Sequence, residues 1–413
     1  MRARIHGGAT EVGGSCLELE SEGCRLVVDL GLPLNPGDGY EPALPAITGL
    51  VTPDDSLAGV LVSHAHPDHY GLLGLAGDHV PVYIGQAGAR ILEESKFFGA
   101  SRWAPGEVAG NLADGVAVAI GAFRVTPRLV DHSAFEAHAF EIESGGRRLF
   151  YSGDLRAHGR KRGTFTRLIT DPPRSIDALV LEGTRLGRTD ASAQATERDV
   201  EDELASLAVE TGGLLLAAYS PQNVDRVVSV YRAAIRSGRD LIIDPYTAAI
   251  AEATGNTSIP RSGWDRVRVY VPQSQRLRIK RARAFERVNR LGASRIHEPE
   301  IAEHPDRYVL TFRGSMARDF HTETMREARA VWSMWPGYLE RERSAELLEF
   351  LVDHAIPMTT VHASGHATVA DLRRLAYAIR PRRVIPLHTS APERYGEIYN
   401  RVEPHGNGEW WQV

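Results

Sequence analysis

The stretch Val60-Leu61-Val62-Ser63-His64-Ala65-His66-Pro67-Asp68-His69 joins an apolar run to three imidazoles and a carboxylate. The apolar run predicts a buried strand, which would present the polar side chains together at its end. Imidazole nitrogens and carboxylate oxygens are the ligands that zinc and similar divalent cations prefer. A histidine-rich surface loop is the alternative, but the ordered pattern His-x-His-x-Asp-His favours a metal site. The candidate ligands in it are His64, His66, Asp68 and His69.

Three more polar residues follow apolar segments elsewhere in the chain, namely His132, Asp154 and His388. Alone, each histidine would be more typical of a buried hydrogen-bonded side chain, and Asp154 of a turn residue after a strand. Their occurrence together with the first motif favours metal binding instead. Seven such ligands suit two metal ions that each keep a position open for water.

The composition excludes several classes of protein. The 413 residues carry a formal net charge of −5 and only two cysteines, Cys16 and Cys24. This cysteine content excludes a disulfide framework and a thiolate zinc site, and it suits a reducing cytoplasm. The negative charge means that a polyanion would have to be bound by local patches or by metal ions. No signal region and no membrane-spanning run are recognisable, so we expect a cytoplasmic protein.

The pattern of strands and helices changes near residue 190. Before it, short strands alternate with Gly and Asp turns, and a helix is predicted from Asp68 through Leu75. After it, helices and single strands alternate over 196–209, 214–218, 223–237 and 240–243. Two consecutive βα units of this kind predict a parallel sheet. Later elements are predicted at 341–354, 358–362, 368–379 and 383–387.

At these motifs the chain resembles the metallo-β-lactamase superfamily and, within it, the RNase J-like members of the β-CASP nuclease family. The first four family motifs match Asp29, His64–His69, His132 and Asp154. The resemblance implies an α/β fold, an αββα metallo-β-lactamase sandwich with an inserted parallel-sheet β-CASP domain. Residues 1–187 and 346–413 would form the two parts of the core, and residues 188–345 the insert.

Three later motifs support this narrower resemblance. Leu179-Val180-Leu181-Glu182 resembles motif A, and Val361-His362-Ala363-Ser364-Gly365-His366 resembles the RNase J form of motif B. His388 then falls at motif C. We expect Ser364 and His366 to contact a substrate phosphate, with Glu182 orienting His366 as a general acid.

The resemblance also implies which residues bind which ion. His64, His66 and His132 would bind one metal ion, Asp68, His69 and His388 the other, and Asp154 would bridge them. Asp29 would orient a ligand histidine without touching the metal. Two Zn²⁺ ions are the expected cofactors, with Mn²⁺ as the alternative. The residues expected to take part in catalysis are Asp68, Asp154, Glu182 and His366.

The function implied is metal-dependent phosphodiester hydrolysis by an RNase J-like ribonuclease acting on single-stranded RNA. The attacking species would be a hydroxide held by the two zinc ions, and exonucleolytic and endonucleolytic cleavage both stay open. Alternatives are a DNA-directed β-CASP nuclease, a small-molecule ester, lactone or thioester hydrolase, and a non-catalytic scaffold. A homodimer or an accessory protein is a further expectation, and no membrane partner is expected.

The chain departs from the RNase J pattern in three places. Thr389-Ser390 follow His388 where a Gly-Glu pair is usual, and Gly183-Thr184 follow Glu182 where Ser-Thr is usual. The sequence also ends at Val413, so we expect the extra C-terminal domain of bacterial RNase J to be absent. These departures leave all expected ligands in place.

A basic stripe is predicted outside these motifs. Its members recur at spacings of four and three residues: Arg276, Lys280, Arg283, Arg287 and Arg290. On one continuous helix they would share a face along which a nucleic acid strand could lie. A solvated helix face, with acidic neighbours such as Glu286 pairing locally, is the alternative.

Overall fold

A computed structural model of the chain describes residues 1–34, 39–187 and 195–413. The chain divides into two compact units, the first made of Met1–Ala193 and Gly365–Val413 and the second of Gln194–Ser364. The expected start of the insert at residue 188 lies outside the described residues. The expected end near residue 345 lies inside the second unit, whose last strand pairs within its own sheet. The division into 1–187, 188–345 and 346–413 stays a prediction.

The first unit contains two mixed β-sheets. In hydrogen-bonding order, one consists of β20 (Trp410–Gln412), β1 (Arg2–Gly7), β2 (Cys16–Ser21), β3 (Cys24–Val28), β4 (Leu57–Leu61), β5 (Val82–Gly85) and β6 (Gly110–Leu112). The other consists of β19 (Arg383–Leu387), β11 (Ala178–Glu182), β10 (Arg147–Tyr151), β9 (His138–Ser144), β8 (Phe123–Leu129) and β7 (Val118–Ile120). The first and last strands of the chain therefore pair side by side, β1 with β20.

Alternation along the strands explains why these two sheets pack face to face. Successive side chains of a strand point to opposite faces of its sheet. In β11, Ala178 and Val180 join the apolar core shared with Leu17 and Leu19 of the other sheet. Leu179 and Leu181 lie on the opposite face, in a second core with two helices. Both faces of this sheet are thus covered.

Helices cover the outer faces of the sandwich. The helices of this unit are α1 (Pro67–Tyr70), α2 (Gln86–Phe98), α3 (Arg162–Thr170) and α11 (Val369–Ile379). Phe165 of α3 and Leu375 of α11 are buried against the second sheet, and α2 follows β5 of the first sheet directly. Helix α11 begins where the Thr368 hydroxyl accepts a hydrogen bond from the amide of Asp371.

The second unit is built around one sheet in which every strand pair is parallel. Its strands, in order, are β15 (Arg295–Ile296), β14 (Val267–Tyr270), β13 (Asp240–Ile243), β16 (Tyr308–Thr311), β12 (Leu215–Ala218), β17 (Arg329–Trp332) and β18 (Met358–Thr360). Its helices are α4 (Glu197–Glu210), α5 (Val224–Arg236), α6 (Pro245–Ala253), α7 (Gln273–Arg281), α8 (Glu286–Asn289), α9 (Glu298–Glu303) and α10 (Ala345–Asp353). Apolar cores lie on both sides of the sheet, as a parallel sheet requires. The expected fold class, an αββα sandwich with an inserted parallel-sheet unit, is confirmed.

Two predicted helices are wrong in extent. The helix expected from Asp68 through Leu75 is an α-helix only as far as Tyr70, whereas Leu73–Leu75 form a short 3-10 helix. The helix expected to carry the whole basic stripe ends at Arg281. Arg283 follows with a φ of 54°, a left-handed conformation that a helix cannot contain. Within the described residues, no helix is both long and apolar enough to cross a membrane.

A buried ion pair stabilises the second unit and gives a prediction. Arg226 donates hydrogen bonds to Glu197 at 3.1 and 3.2 Å and to Ser333 Oγ at 2.6 Å, with both charged side chains nearly inaccessible. Arg226→Met leaves the Glu197 carboxylate buried without its counter-charge, which costs about 3–5 kcal/mol of unfolding free energy. We expect a clearly lower thermal unfolding midpoint by calorimetry.

The double variant Arg226→Met/Glu197→Gln is the informative control, because it removes both charges and should recover much of the lost stability. The exposed Arg236, which pairs with Asp202, supplies a matched surface control, and Arg236→Met should leave the midpoint almost unchanged. An equal loss in the single and double variants would contradict the proposed role of the buried charge.

Candidate metal centre

Strand ends place the predicted ligands at one edge of the sandwich. Strand β11 pairs in parallel with both β10 and β19, so the carboxyl ends of the three strands meet at the same edge. Asp154 follows β10, Glu182 ends β11, and His388 follows β19. His64 and His66 follow β4 in the other sheet, and His132 follows β8.

The first group of ligands consists of His64, His66 and His132. His66 Nδ1 lies 3.2 Å from His64 Nε2 and 3.2 Å from His132 Nε2. The three imidazole nitrogens therefore lie close enough to one another to bind a single cation. Their potential ligand atoms all lie within 4.8 Å of one another.

The second group consists of Asp68, His69, Asp154 and His388, which satisfy the same 4.8 Å criterion. His388 Nε2 lies 3.2 Å from Asp68 Oδ2, and His69 Nε2 lies 3.2 Å from Asp154 Oδ2. The same Asp154 oxygen lies 3.8 Å from His64 Nε2 and 3.9 Å from His132 Nε2, in the first group. Asp154 thus faces both groups.

Hydrogen bonds from outside the cluster determine which nitrogen each histidine presents. His69 Nδ1 pairs with Asp29 Oδ2 at 2.7 Å, His132 Nδ1 donates to the Gly365 carbonyl at 2.6 Å, and His388 Nδ1 pairs with the Thr184 hydroxyl at 2.8 Å. Because each Nδ1 is engaged, Nε2 is left to face the cluster. Partners of this kind orient metal-ligating imidazoles and increase their basicity.

Asp29 is itself held on several sides. Its carboxylate accepts hydrogen bonds from the Ser63 amide at 2.7 Å, the Ser63 hydroxyl at 2.8 Å and the Tyr151 hydroxyl at 2.6 Å. The residue is fully buried and has a φ of 59°. A non-glycine residue in this left-handed region is strained, and such strain persists only where the surroundings hold the residue in place. His388 shows the same feature, with a φ of 52°.

The protonation of His64, His66 and Asp154 fits a bound cation, whereas neighbouring carboxylates outweigh burial and raise the pKa of His69 and of His388. Burial, together with neighbouring imidazoles, holds the pKa of His64 well below its usual value, and burial lowers the pKa of His66 to about 4. Burial opposes ionisation of Asp154, but the charges of His388 and His69 outweigh it and hold the pKa of that carboxyl well below its usual range. Neutral imidazoles and ionised carboxylates are the forms that bind metal. Among the described residues, the buried Asp154 Oδ1 has no hydrogen-bond partner, an acceptor that a cation would satisfy.

His366 and Glu182 lie beside the ligands. His366 Nδ1 is 3.4 Å from Glu182 Oε2 and 3.7 Å from Asp154 Oδ2. Glu182 also accepts hydrogen bonds from the amides of Thr184 at 3.0 Å and Ala367 at 3.4 Å, and this links motif A to the segment that carries His366. Burial raises the pKa of Glu182, but the His366 charge outweighs it and lowers the pKa overall. His366 stays 20% exposed, so the imidazole is accessible from solvent.

The structure thus brings together nine of the predicted residues in the first unit, and Asp29 supports them from behind His69. Ser364 is different, because it is the last residue of the second unit. Its contact with a substrate phosphate stays a prediction.

Apart from Asp29, sequence reasoning missed the groups that hold the histidines. Thr184 was noted only as a departure from the family pattern, yet its hydroxyl pairs with His388. The Gly365 carbonyl carries no side-chain signal at all. Arg156, which is fully buried, donates through Nε to Asp131 at 3.2 Å and so joins the loops that carry Asp154 and His132. The one signal in the sequence was that Asp131 directly precedes His132 and that Arg156 lies two residues after Asp154.

Comparison with known proteins supports this arrangement. Residues 34–211 match the model of a beta-lactamase superfamily domain. The chain is 25% identical to Ribonuclease J of Sinorhizobium meliloti over 89% of its length, and 25% identical to Ribonuclease J of Mycobacterium tuberculosis over 94%. It is 21% identical to Ribonuclease J of Helicobacter pylori over 97%. It spans 64%, 68% and 56% of these three relatives, respectively.

A solved structure shares the fold over nearly the whole chain. It is the crystal structure of a protein of unknown function from Enterococcus faecalis V583, with a TM-score of 0.81, 20% sequence identity and 99% coverage of both chains. The sandwich, the His-x-His-x-Asp-His cluster at its edge, the matched domain and the similarity to ribonucleases J lead to one conclusion: residues 34–211 carry a beta-lactamase superfamily domain, and the chain is similar to ribonucleases J over most of its own length.

Proposed function

We propose that this protein is a metal-dependent phosphodiesterase that cleaves single-stranded RNA. The observation that carries the proposal is the convergence of seven His and Asp ligands in two groups that share Asp154. Two adjacent cations acidify a water and offset the charge of a phosphate during attack, which is the chemistry that phosphodiester hydrolysis requires. The names of the relatives supply the substrate class, RNA.

We assign the ligands as the geometry groups them. His64, His66 and His132 would hold one ion and Asp68, His69 and His388 the other, with Asp154 within reach of both groups. Zn²⁺ is the ion we propose, since the donors are nitrogens and carboxylate oxygens, and Mn²⁺ is the alternative. Asp29 is a positioning residue, because it acts on the ions only through His69.

His366 is the proposed general acid. Glu182 faces its Nδ1 and orients the ring, so Nε2 is the atom proposed to deliver a proton to the leaving oxygen. Its partial exposure, beside the almost fully buried Asp154 and His388, supports contact with a substrate. Ser364 is proposed to contact a phosphate oxygen.

Both cysteines are free thiols, in accord with the expected cytoplasm, and a homodimer or accessory protein stays a prediction.

Digestion of end-labelled RNA and of DNA of the same sequence, with protein reconstituted with Zn²⁺ or Mn²⁺, tests the proposal. We expect RNA to be cleaved and a chelator to abolish cleavage. The product ladder separates exonucleolytic from endonucleolytic action, and preferential cleavage of DNA would identify a DNA-directed nuclease. Turnover of esters or lactones without any phosphodiester cleavage would show that the proposal is wrong.

His66→Ala tests the ligand assignment. The substitution removes one of three nitrogens of the first group, so we expect loss of bound metal by elemental analysis and a fall in RNA cleavage of at least about a hundredfold. The control His304→Ala makes the same change at an exposed histidine of the second unit. Full metal-dependent activity in His66→Ala would refute the assignment.

His366→Ala separates proton transfer from metal binding. We expect kcat to fall by about 10²–10⁴-fold while the metal content is unchanged, since loss of a general acid has an effect of this size. Glu182→Gln should lower kcat by less, because the imidazole stays in place. If His366→Ala loses metal as His66→Ala does, His366 is a ligand, as its proximity to Asp154 and His388 also permits.

A further inference from the structure

Residues 276–290 of the second unit, here called the basic segment, concentrate positive charge in a chain whose formal net charge is −5. The segment contains one acidic residue, Glu286. It contains seven basic residues, which are Arg276, Arg278, Lys280, Arg281, Arg283, Arg287 and Arg290. Six of the seven are exposed, and Arg287 is half-buried.

The backbone of the basic segment spreads these charges over a surface and does not align them in a single stripe. In α7 only Gln275 and Ile279 are buried, so the cations occupy the remaining faces of the helix. The left-handed conformation of Arg283 then redirects the chain into α8, where Arg287 lies. The result is a broad cationic surface on two short helices.

Local interactions involve some of these cations, among them Arg278, Arg287 and Arg290. Within the described part of the chain, Lys280, Arg281 and Arg283 form no ion pair, and Glu286 pairs with no cation, whereas Arg290 lies 3.7 Å from Glu252. The face formed by α4 and α5 is a contrast within the same unit, since Arg198, Arg232 and Arg236 there all pair with Glu201 or Asp202. The alternative of a solvated helix face with balanced charges therefore fits α4 and α5 better than it fits the basic segment.

Two large apolar side chains are exposed among the cations. Leu277 is 43% exposed and Phe285 is 53% exposed. A phenyl ring surrounded by positive charge can stack on a nucleobase while the cations bind the flanking phosphates, and this combination is typical of surfaces that bind single strands without sequence preference.

We propose that the basic segment is a docking surface for the phosphate backbone of single-stranded RNA, with Phe285 stacking on a base. Naming RNA as the polyanion rests on the proposed function, whereas the surface itself follows from charge and exposure. Binding here is electrostatic and independent of sequence, and it is separate from the ligation of metal ions.

The test compares two triple variants with equal changes in charge. The first is Lys280→Gln/Arg281→Gln/Arg283→Gln, which removes the three unpaired cations, and the control is Arg198→Gln/Arg232→Gln/Arg236→Gln on the α4–α5 face. Binding of a fluorescein-labelled phosphorothioate oligouridylate, which resists hydrolysis, is measured by fluorescence anisotropy at several KCl concentrations. Both variants should keep the wild-type unfolding midpoint, because all six side chains are exposed.

We expect the first variant to bind at least tenfold more weakly at low salt. Its slope of log Kd against log salt should fall by about two, since each phosphate contact on a single strand contributes about 0.7. The control should match the wild type. Phe285→Ala should weaken binding severalfold without changing the slope, because stacking releases no counterions.

Other outcomes overturn the inference. An unchanged salt slope in the first variant, or an equal loss in the control, would show that the basic segment does not bind RNA. Loss of binding to phosphatidylserine vesicles with an unchanged RNA slope would assign the surface to a membrane instead.

Hydrolysis of bis(p-nitrophenyl) phosphate separates this inference from the proposed function, because so small a substrate needs only the metal centre. Both triple variants should hydrolyse it at the wild-type rate. If the wild type hydrolyses no phosphodiester, the proposed function fails while the docking surface is still judged by the salt slope. If hydrolysis is normal and the slope is unchanged, only the docking surface fails.

Discussion

The parallel pairing of β11 with β10 on one side and β19 on the other is the constraint on which the candidate site depends. Parallel strands present their carboxyl ends at the same edge of a sheet, so Asp154, Glu182 and His388 meet although long segments separate them in the sequence. Strand β19 follows the whole second unit in the sequence, yet it pairs with β11 of the first unit. The position of His388 beside Asp68 is therefore a property of the tertiary fold.

Burial of the ligands has an energetic consequence. Five of the predicted ligands are only 0–2% exposed, and such groups must be paired or must bind a metal, since isolated buried charge is strongly unfavourable: His64, His69, His132, Asp154 and His388. Hydrogen bonds from Asp29, Thr184 and the Gly365 carbonyl satisfy the outer nitrogens of three histidines. The remaining ligand atoms of each group face one another, and one cation in each group would satisfy them together. The left-handed backbone of Asp29 and His388 shows that local strain is tolerated to keep this arrangement.

The second unit differs from the first in what stabilises it and in the charge of its surface. Its parallel sheet is covered by apolar cores on both faces, and a buried Arg226–Glu197 pair connects α5 to α4. Its surface is uneven in charge: the arginines of α4 and α5 form ion pairs, whereas Lys280, Arg281 and Arg283 of the basic segment form none within the described residues. A single continuous helix over the basic segment would have aligned these cations along one solvated face. The break after α7 instead gathers cations and an exposed phenyl ring on two short helices.

By itself, the sequence determined the ligand types, their placement after apolar strands and the parallel character of the second unit. These properties are local: apolar runs predict strands, and alternating βα segments predict a parallel sheet. The exact strand 383–387 and the convergence of His64 with His132 and Asp154 agree with that reading. The helix predicted beyond Tyr70 was wrong in extent, because apolar periodicity does not distinguish a continuous α-helix from the separate 3-10 helix Leu73–Leu75. Only the tertiary structure decided which nitrogen each histidine presents, because Thr184, Tyr151 and the Gly365 carbonyl act through contacts distant in sequence. It also decided where the basic stripe breaks, since the periodicity of charged residues carries no information about the left-handed turn at Arg283.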